Sequence, residues 1–471
     1  MIQNNDTICA ISTPSGVGGI AVIRVSGEKA FEICDKILAP QLPQGGLSEQ
    51  PANTVTMRRV FAPSPLGRAG ERLDDVLTTV FRAPHSFTGE DTVEISCHGS
   101  IYIQQKILRL LVETGCRLAT AGEFTQRAFL NGKMDLSQAE AVADLIASQS
   151  ASAHRMAMNQ MRGGFSAELK NLRQQLLDFV SLIELELDFS EEDVEFADRK
   201  KLKDLASKIE TKITKLADSF SVGNVLKNGI PVALVGETNV GKSTLLNLLL
   251  NEEKSIVSDI HGTTRDVIED SVNIRGVTFR FIDTAGIRQT TDTIENLGIE
   301  RTYRQIEQAS IVLWLVDGTN VSEHIEWLTE KILKRAEGKK IILIFNKIDK
   351  LSEEELDILN SLFEPFHCER IQISAKLRLN TEVLQEALLR AAAIPQISEN
   401  DVIVSNVRHY EALKEALSAI CNVIEGLESG ISGDFLSRDI RECMYHLGEI
   451  TGEITTDEVL GNIFSRFCIG K

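Results

Sequence analysis

The stretch Gly236-Glu-Thr-Asn-Val-Gly241-Lys242-Ser243 follows a short apolar run, Val232 to Val235, and precedes a run with helical spacing, Thr244 to Leu250. It has the spacing of a phosphate-binding loop, GxxxxGK[ST], in the strand, loop and helix context that the motif requires. In such a loop, main-chain N–H groups surround the phosphates at a helix N-terminus, the lysine neutralises the β and γ oxygens, and the serine hydroxyl ligates Mg²⁺. The sequence therefore predicts a nucleoside triphosphate site that uses Lys242 and Ser243.

The pattern of apolar, Gly and Pro residues changes on either side of this loop. Residues 1–132 alternate β-like runs with Gly- and Pro-bearing turns around a helical stretch, which predicts an α+β domain. Residues 133–228 and 395–471 repeat apolar side chains at helical spacing, and neither stretch alone makes an obvious complete bundle. Residues 229–394 repeat strand, glycine loop and helix, as a doubly wound α/β domain requires. We predict that this α/β domain is inserted between two parts of one all-α domain.

Composition limits the possible functions. The chain has 471 residues, 43% hydrophobic and 25% charged, which suits about three globular domains and excludes a fibrous or wholly disordered protein. Its formal net charge of -18 opposes non-specific attraction to nucleic acid, so a nucleic acid substrate needs a local patch or a partner protein to hold it.

No membrane partner is expected, because no apolar stretch approaches the roughly 20 residues of a membrane span. Met1 to Ala10 contain no Lys or Arg, so they do not resemble a signal or transit peptide. The eight cysteines show no CxxC pair, and reduced thiols are the default expectation for such a pattern. These features together predict a cytoplasmic protein.

Three further motifs follow strand-like runs in the α/β segment. Asp283-Thr284-Ala285-Gly286 places an acid where it can approach Mg²⁺ and a glycine where it can contact the γ-phosphate. Asn346-Lys347-Ile348-Asp349 supplies the carboxylate of Asp349 for the paired N–H donors of guanine, which adenine lacks. Ser374-Ala375-Lys376 suits a loop at the guanine carbonyl. In order and spacing the four motifs resemble the G domain of the translation-factor and Ras-like GTPases, so we expect GTP as the nucleotide.

Essentially the whole chain also resembles the bacterial tRNA modification GTPases of the TrmE-Era-EngA-like family. The residues that carry this resemblance are Gly262-Thr263-Thr264-Arg265-Asp266, the Asp283 motif, Phe87-Thr-Gly-Glu-Asp91 and Phe467-Cys468-Ile469-Gly470-Lys471. The resemblance implies G domains that pair around K⁺, because a monovalent cation between the phosphates can neutralise charge as an arginine finger does. It also implies an N-terminal domain that dimerises and binds a tetrahydrofolate one-carbon donor.

The resemblance further implies roles for individual residues at the nucleotide. Thr264 would join Ser243 on Mg²⁺, and Glu295 would orient the attacking water, because Ile287 stands where Ras-type enzymes carry glutamine. The residues implied as K⁺ ligands are Asn239, Ser258, Ile260 and Thr263. The full set expected at GTP is Asn239, Val240, Gly241, Lys242, Ser243, Thr244, Ser258, Asp259, Ile260, His261, Gly262, Thr263, Thr264, Asp283, Thr284, Ala285, Gly286, Asn346, Lys347, Asp349, Ser374, Ala375 and Lys376. The residues expected to act in catalysis are Glu295, Lys242 and Cys468.

For the folate, the resemblance implies 5,10-methylene- or 5-formyl-tetrahydrofolate. The matching positions are Arg24, Glu94, Lys133 and Lys471. Basic side chains suit the glutamate tail, and a carboxylate suits the donor edge of the pterin. Without the resemblance, Arg24 also fits an ordinary ion-paired strand residue, and Cys468 is either a nucleophile in the modification chemistry or an inert buried thiol.

The function implied is a K⁺-stimulated GTPase that works as a homodimer with an FAD-containing partner of the MnmG or GidA type, in a heterotetramer. The pair would add a (carboxymethyl)aminomethyl group at C5 of the wobble uridine of tRNA. Two other classes stay open: a GTP-switched ribosome-assembly factor and a folate-sensing regulatory GTPase without modification activity. Assembly factors usually append a basic RNA-binding module, whereas residues 401–471 hold 6 Lys plus Arg against 12 Asp plus Glu, a net of -6.

Overall fold

A computed structural model describes most of the chain. The described residues are 6–40, 45–62, 71–188, 199–254, 270–282, 303–320, 325–393 and 402–470. They divide into two compact units, each built from separate stretches of sequence. The first unit comprises Met1–Ala147, Ala157–Ile213 and Glu411–Lys471, and the second comprises Ser148–Met156 and Thr214–Tyr410.

The strands and helices are numbered in chain order. The strands are β1 (Ile8–Ile11), β2 (Ile20–Ser26), β3 (Leu38–Pro40), β4 (Thr54–Ala62), β5 (Glu71–Phe81), β6 (Thr92–His98), β7 (Arg117–Leu118), β8 (Ile230–Gly236), β9 (Asp270–Ile274), β10 (Val277–Phe281), β11 (Ile311–Asp317), β12 (Lys340–Asn346) and β13 (Glu369–Gln372). The helices are α1 (Ala30–Ile37), α2 (Ile101–Thr114), α3 (Glu123–Leu130), α4 (Leu136–Ala147), α5 (Ala151–Met161), α6 (Gly164–Asp188), α7 (Arg199–Asn228), α8 (Lys242–Lys254), α9 (Ile325–Arg335), α10 (Glu353–Leu362), α11 (Thr381–Ala392), α12 (Val407–Ser429), α13 (Gly433–Thr451) and α14 (Asp457–Phe464).

The first unit is organised around a seven-stranded sheet with the order β3-β4-β5-β6-β2-β1-β7. All neighbours are antiparallel except β1 and β7, which are parallel. One face of the sheet buries alternate apolar residues such as Ile23 and Ile95 in a core shared with Ile33 of α1 and Ile107 of α2. On the other face Met57 and other apolar side chains are exposed. The N-terminal part is therefore α+β, as predicted, with one face covered by helices.

The all-α part of the first unit is assembled from two distant stretches of sequence. Helix α6 lies along α13. The pattern of buried residues explains the pairing, because each helix buries apolar side chains at helical spacing. These buried side chains are Leu169, Leu172, Leu176, Val180 and Ile183 in α6, and Leu436, Ile440, Cys443 and Leu447 in α13. The prediction of a discontinuous helical region with the α/β segment inserted in its sequence is confirmed.

The second unit contains a six-stranded sheet with the order β13-β12-β11-β8-β10-β9, parallel except for the β9 and β10 pair. Strands β11 and β12 are apolar nearly throughout, because a parallel sheet is covered on both faces. One face packs with residues of α8 and α11, and the other with residues such as Leu359 of α10. The loops after β8, β11, β12 and β13 therefore leave the same edge of the sheet, where ligands bind in such folds.

A buried ionic cluster ties α3 to the chain before β1. The side chains of Arg127 and Glu123 are only 2% and 1% exposed, and Arg127 Nη2 donates to Glu123 Oε1 at 3.0 Å. The same nitrogen donates to Asp6 Oδ1 at 2.7 Å, and Arg127 Nη1 donates to Glu90 Oε1 at 3.1 Å. Arg117 Nη1 donates to Glu123 Oε2 at 3.0 Å. Because Arg127 and Glu123 are both buried, the loss of either charge leaves the other with fewer opposite charges around it.

All eight cysteines are described and free. Burial raises the pKa of the Cys34 thiol, and burial together with the Asp74 carboxylate raises the pKa of Cys97 to about 11. Burial also raises the pKa of Cys443 to about 12. These thiols are poor nucleophiles, since the thiolate is the reactive form. Among the described residues, no helix is both long and apolar enough to cross a membrane.

The ionic cluster makes stability depend on pH. Burial raises the pKa of Glu123, but hydrogen bonds from Arg117, the Thr120 main chain and Arg127 outweigh it, so the pKa lies below its usual value. The stabilisation is therefore present above the unfolded pKa of about 4.3 and is lost as pH falls through the folded value. We expect Glu123→Gln to reduce the free energy of unfolding by about 1–3 kcal/mol at pH 7, because Arg117 and Arg127 keep Asp6 and Glu90 as partners, and to weaken its fall below pH 5. Denaturant titration at several pH values measures both effects.

The matched control is Glu113→Gln, because Glu113 forms an exposed ion pair with Arg109, whose side chain is 73% exposed. It should change the free energy of unfolding by less than about 1 kcal/mol. Equal effects of the two substitutions would show that the buried cluster does not stabilise the first unit.

Candidate functional site

The phosphate-binding loop joins β8 to α8, as the sequence predicts. Gly241 has φ +100°, and a Cβ at this position would lie 2.3 Å from Asn346 Nδ2, so glycine is required on both grounds. The first hydrogen bond at the start of α8 runs from Leu245 N to Gly241 O at 2.9 Å. The preceding main-chain N–H groups have no partner within the helix, which is the arrangement that binds phosphate.

Lys242 lies at the first turn of α8, with its ammonium group turned back to the loop. Its Nζ donates to the main-chain oxygens of Gly236 and Glu237, each at 2.6 Å. Burial lowers the pKa of Lys242, and Glu237 only partly opposes this effect. Phosphate oxygens in the loop would supply negative charge that favours the ammonium form. Lys242 thus fits its predicted role.

Asn346 connects the phosphate-binding loop to the predicted guanine loop. It ends β12 and is 3% exposed. Its Nδ2 donates to the main-chain oxygen of Val240 at 2.7 Å, and its Oδ1 accepts from the Ala375 N–H at 3.0 Å. Because both bonds are buried, the loss of the amide would leave a carbonyl and an N–H unsatisfied. The Asn346 side chain therefore fixes the two loops relative to each other.

Asp349 is exposed at the end of this motif, next to the loop of Ser374. The Ser374 hydroxyl is fully buried and donates to Asp349 Oδ1 at 2.6 Å. The same hydroxyl oxygen accepts from the Leu377 N–H at 3.2 Å. These contacts orient the carboxylate, whose acceptor oxygens match the paired N–H donors of guanine. The carboxylate is thus suited to select guanine.

Lys347 forms a second link between its own loop and the phosphate-binding loop. The sequence analysis did not identify this link. Its Nζ donates to the main-chain oxygen of Asn239 at 2.9 Å and to Asp317 Oδ2 at 2.6 Å. Asp317 ends β11, directly opposite Asn346 in the parallel register. The sequence did contain a signal for Asp317. It is an acidic residue at the carboxyl end of a buried parallel strand, and that edge of the sheet holds the ligand.

The described residues contain no group of three or more His, Cys, Asp or Glu side chains that could hold a metal ion. Mg²⁺ on a nucleotide takes its oxygens mainly from phosphates, water and one or two side chains. Ser243 stands at the start of α8 beside Lys242, where its hydroxyl fits such a role. The main chain of Asn239 is left-handed, with φ 63°, which asparagine tolerates better than most residues.

Part of the predicted site lies outside the described residues. These positions are Ser258, Asp259, Ile260, His261, Gly262, Thr263, Thr264, Asp283, Thr284, Ala285, Gly286, Glu295 and Lys471. The predicted roles of these residues in binding Mg²⁺, K⁺, water or folate therefore stay predictions.

In the first unit the structure brings Arg24 and Glu94 together. They face each other across β2 and β6, and Arg24 Nε and Nη2 both donate to Glu94 Oε1, at 2.9 and 2.8 Å. The Arg24 guanidinium also lies over the rings of Phe87 and Phe124, 5.5 and 5.7 Å from their centroids. The two predicted folate residues thus form one ion pair, and the Arg24 guanidinium packs on two aromatic rings, of which Phe124 is fully buried.

Lys133 contacts the loop that carries Phe87. Its Nζ donates to the main-chain oxygen of Pro84 at 2.8 Å, and the neighbouring Asn131 Nδ2 donates to the oxygen of Thr88 at 2.7 Å. These two contacts orient the loop that presents Phe87 to Arg24. The three described folate positions therefore belong to one connected part of the first unit.

The last described residues return to the N-terminal sheet. Ile469 forms an isolated antiparallel bridge with Ala121, and Ser12 Oγ donates to the oxygen of Gly470 at 3.1 Å. Gly470 has φ +93°, and a Cβ there would lie 2.3 Å from the main-chain oxygen of Ile11. Cys468 precedes this contact and is exposed. Cys468 is therefore not a buried thiol, and its role in the modification chemistry stays a prediction.

These features define the class of protein. A phosphate-binding loop, a guanine-selecting carboxylate and the buried Asn346 bridge lie at the carboxyl edge of a doubly wound sheet, which is the site of a P-loop GTPase. Comparison with known proteins gives the family. Residues 136–468 match the description "MnmE helical domain", and residues 7–133 match "GTP-binding protein TrmE N-terminus".

Two curated relatives are similar over nearly their whole lengths. The chain is 60% identical to the tRNA modification GTPase MnmE of Bacteroides fragilis, covering 100% of both chains. It is 51% identical to the protein of the same name from Flavobacterium psychrophilum, covering 99% of both. The chain belongs to the tRNA modification GTPase MnmE family, and it is a GTPase.

Solved structures with similarity to the chain include two GTP-binding proteins. Era in complex with MgGDPNP and a segment of 16S ribosomal RNA is 28% identical, with a TM-score of 0.28, over 40% of this chain and 65% of Era. The G domain of the FeoB iron transporter of T. maritima is 25% identical, with a TM-score of 0.26, over 35% of this chain and 98% of that domain.

The Asn346 bridge makes a testable prediction. We expect Asn346→Ala to weaken the binding of GTP and GDP at least about tenfold, because the buried Val240 carbonyl and Ala375 N–H lose their partners. Titration with a fluorescent guanine nucleotide measures the affinity. Asn360→Ala, on α10, is the matched control and should bind like the unchanged protein. Wild-type affinity in Asn346→Ala would contradict the bridging role.

Proposed function

We propose that the chain hydrolyses GTP in its second unit and uses that cycle to support tRNA modification by its first unit. The observation that carries this proposal is the Asn346 side chain, which joins the phosphate-binding loop to the loop of Ala375 and so forms one guanine nucleotide site. The relatives named tRNA modification GTPases support the assignment to tRNA. Three domains serve these activities in our proposal: residues 1–132 for folate and dimerisation, a helical domain of 133–228 and 395–471, and the G domain of 229–394.

Hydrolysis is proposed to depend on K⁺. Lys242 and the N–H groups at the start of α8 bind the phosphates, and Ser243 and Thr264 ligate Mg²⁺. Asn239, Ser258, Ile260 and Thr263 coordinate K⁺. When bound, the two cations neutralise the charge that develops on the phosphates. Glu295 orients the attacking water, a role that Ile287 cannot fill.

The folate is proposed to bind beside β2 and β6. Glu94 accepts hydrogen bonds from the donor edge of the pterin with Arg24 paired beside it, and Lys133 and Lys471 bind the carboxylates of the glutamate tail. The Arg24 and Glu94 pair supports this placement, because the polar edge of a heterocycle can meet the ion pair. The ligand is a 5,10-methylene- or 5-formyl-tetrahydrofolate. The exposed Cys468 is proposed to act in the modification chemistry.

The reaction is proposed to add a (carboxymethyl)aminomethyl group at C5 of the wobble uridine. The folate supplies the one-carbon unit, and an FAD-containing partner of the MnmG or GidA type completes the active site in a heterotetramer. The net charge of -18 supports this division of work, because a partner can supply the basic surface that holds tRNA. We place the reaction in the cytoplasm, where free cysteines such as those of this chain persist.

Homodimer formation is proposed to use the face of the first sheet that its own helices do not cover. Met57 and Leu77 lie opposite each other on β4 and β5, and they are 45% and 50% exposed. Val55, on the same strand as Met57, is 58% exposed. Apolar side chains clustered on one open sheet face indicate an interface, and a second copy of this chain is the partner that the family implies.

Cation dependence tests the GTPase part of the proposal. GTP hydrolysis should be fast in KCl and slow in NaCl at equal ionic strength, because Na⁺ does not replace K⁺ between the phosphates. Glu295→Ala should reduce the rate in KCl by about 100-fold or more, whereas Glu354→Gln, a neutralised acid on α10, should leave it unchanged. Steady-state phosphate release measures the rates. Equal wild-type rates in both salts would contradict the proposed cation role.

Folate binding has a separate test. Glu94→Gln should weaken the binding of 5-formyl-tetrahydrofolate at least about tenfold, because a charged acceptor is lost and Arg24 loses its partner. Isothermal titration calorimetry measures the dissociation constant, with Glu113→Gln as the control of equal charge change. Unchanged affinity in Glu94→Gln would place the folate elsewhere.

A further inference from the structure

We propose that Asp317 is a positioning residue of the GTPase: its carboxylate holds the Lys347 ammonium against the main-chain oxygen of Asn239. In this way Asp317 sets the loop residue that faces the monovalent cation. The inference rests on the proposed K⁺-stimulated hydrolysis. It adds a residue that none of the four nucleotide motifs contains.

The geometry forms a continuous path from one strand end to the phosphate-binding loop. Asp317 Oδ2 accepts from Lys347 Nζ at 2.6 Å, and the same nitrogen donates to Asn239 O at 2.9 Å. The side chains of Asp317 and Lys347 are only 15% and 30% exposed. An ion pair in such surroundings is screened less by salt than one at the surface, so its geometry is well defined.

The other carboxylate oxygen is also engaged. Asp317 Oδ1 accepts from the Thr319 main-chain N–H at 3.0 Å and from the Thr319 hydroxyl at 2.7 Å. Burial raises the pKa of Asp317, but the hydrogen bonds from Lys347 and Thr319 outweigh it, so the pKa lies below the usual value. The carboxylate is therefore ionised at neutral pH and held at both oxygens.

Asn239, at the end of this path, has a main-chain conformation that needs support from its neighbours. Asn239 has φ 63°, in the left-handed region that costs an ordinary side chain some energy. Lys347 itself has φ 69°. When Asp317 is lost, the Lys347 ammonium has one fewer fixed acceptor and is free to turn to phosphate or solvent. The Asn239 carbonyl then loses its donor, and the main chain of Asn239 loses a contact that holds it in place.

The expected consequence separates cation use from nucleotide binding. Asn346 still bridges Val240 and Ala375, and Asp349 still meets guanine, so the affinity for GTP should change little. The position of the Asn239 main chain should change most. The response of GTP hydrolysis to K⁺ should change with it. If Asp317 only stabilised the fold, its loss would change the affinity for GTP and the response to K⁺ together.

The test measures GTP hydrolysis against KCl concentration, with NaCl added to hold ionic strength constant. Asp317→Asn should raise the K⁺ concentration for half-maximal activation about tenfold, since a charged hydrogen bond is lost, and should change KM for GTP by less than about threefold. Thr319→Val, in an exposed turn, should shift the K⁺ response in the same direction by a smaller factor. Glu354→Gln is the charge-matched control and should behave like the unchanged protein.

Hydrogen exchange of the main-chain amides of residues 237–241 provides a readout that does not depend on the cation. It should be faster in Asp317→Asn and in Thr319→Val than in the control. If wild-type hydrolysis does not respond to K⁺, the proposed cation role fails, and hydrogen exchange alone decides the positioning role. If K⁺ response and exchange in both variants equal those of the control, the positioning role is overturned. Should Asp317→Asn not fold, Thr319→Val decides by the same criteria.

Discussion

The hydrogen bonds of one buried amide hold the nucleotide site together. Asn346 stands at the end of β12, and it bonds the phosphate-binding loop through Val240 and the guanine loop through Ala375. Gly241 permits this close approach, because any Cβ there would meet the amide nitrogen. The parallel sheet supplies the frame, since the loops after its strands leave the same edge. Base selection and phosphate binding are thus parts of one arrangement.

The N-terminal sheet depends on a comparable constraint, made of charges instead of an amide. The buried Arg127 and Glu123 pair with each other and Arg127 with the partly exposed Asp6 and Glu90, and this cluster fixes α3 against the chain before β1. Phe124, on the same helix, lies beside Arg24 and so joins the proposed folate site to this support. Buried charges are retained only where each has a partner, which makes the region sensitive to single substitutions.

Much of the second unit could be predicted from sequence, because its motifs have fixed spacing and follow apolar strands. Lys242, Asn346 and Asp349 lie where the motifs place them. Asp317 could not be singled out, since its partner Lys347 is 30 residues away in sequence and only the strand register brings them together. The alternating pattern of residues 1–132 predicted an α+β region correctly, but not the order of its strands.

The candidate folate site shows the same limit. Sequence resemblance named Arg24 and Glu94 separately, whereas their ion pair follows from the antiparallel register of β2 and β6. The prediction for Cys468 stayed open between a reactive and a buried thiol, because exposure is a property of the fold and not of the local sequence. Local motifs predict residue types, while pairing across distant strands requires the fold.

The most direct test of the account is the nucleoside content of tRNA. Mass spectrometry would compare wobble uridines from a strain that lacks the gene with those from the same strain carrying the wild-type chain or Lys242→Ala. We expect the C5-aminomethyl-type nucleosides to disappear without the gene, to return with the wild-type chain and not to return with Lys242→Ala. Unchanged nucleosides in the strain without the gene would contradict it.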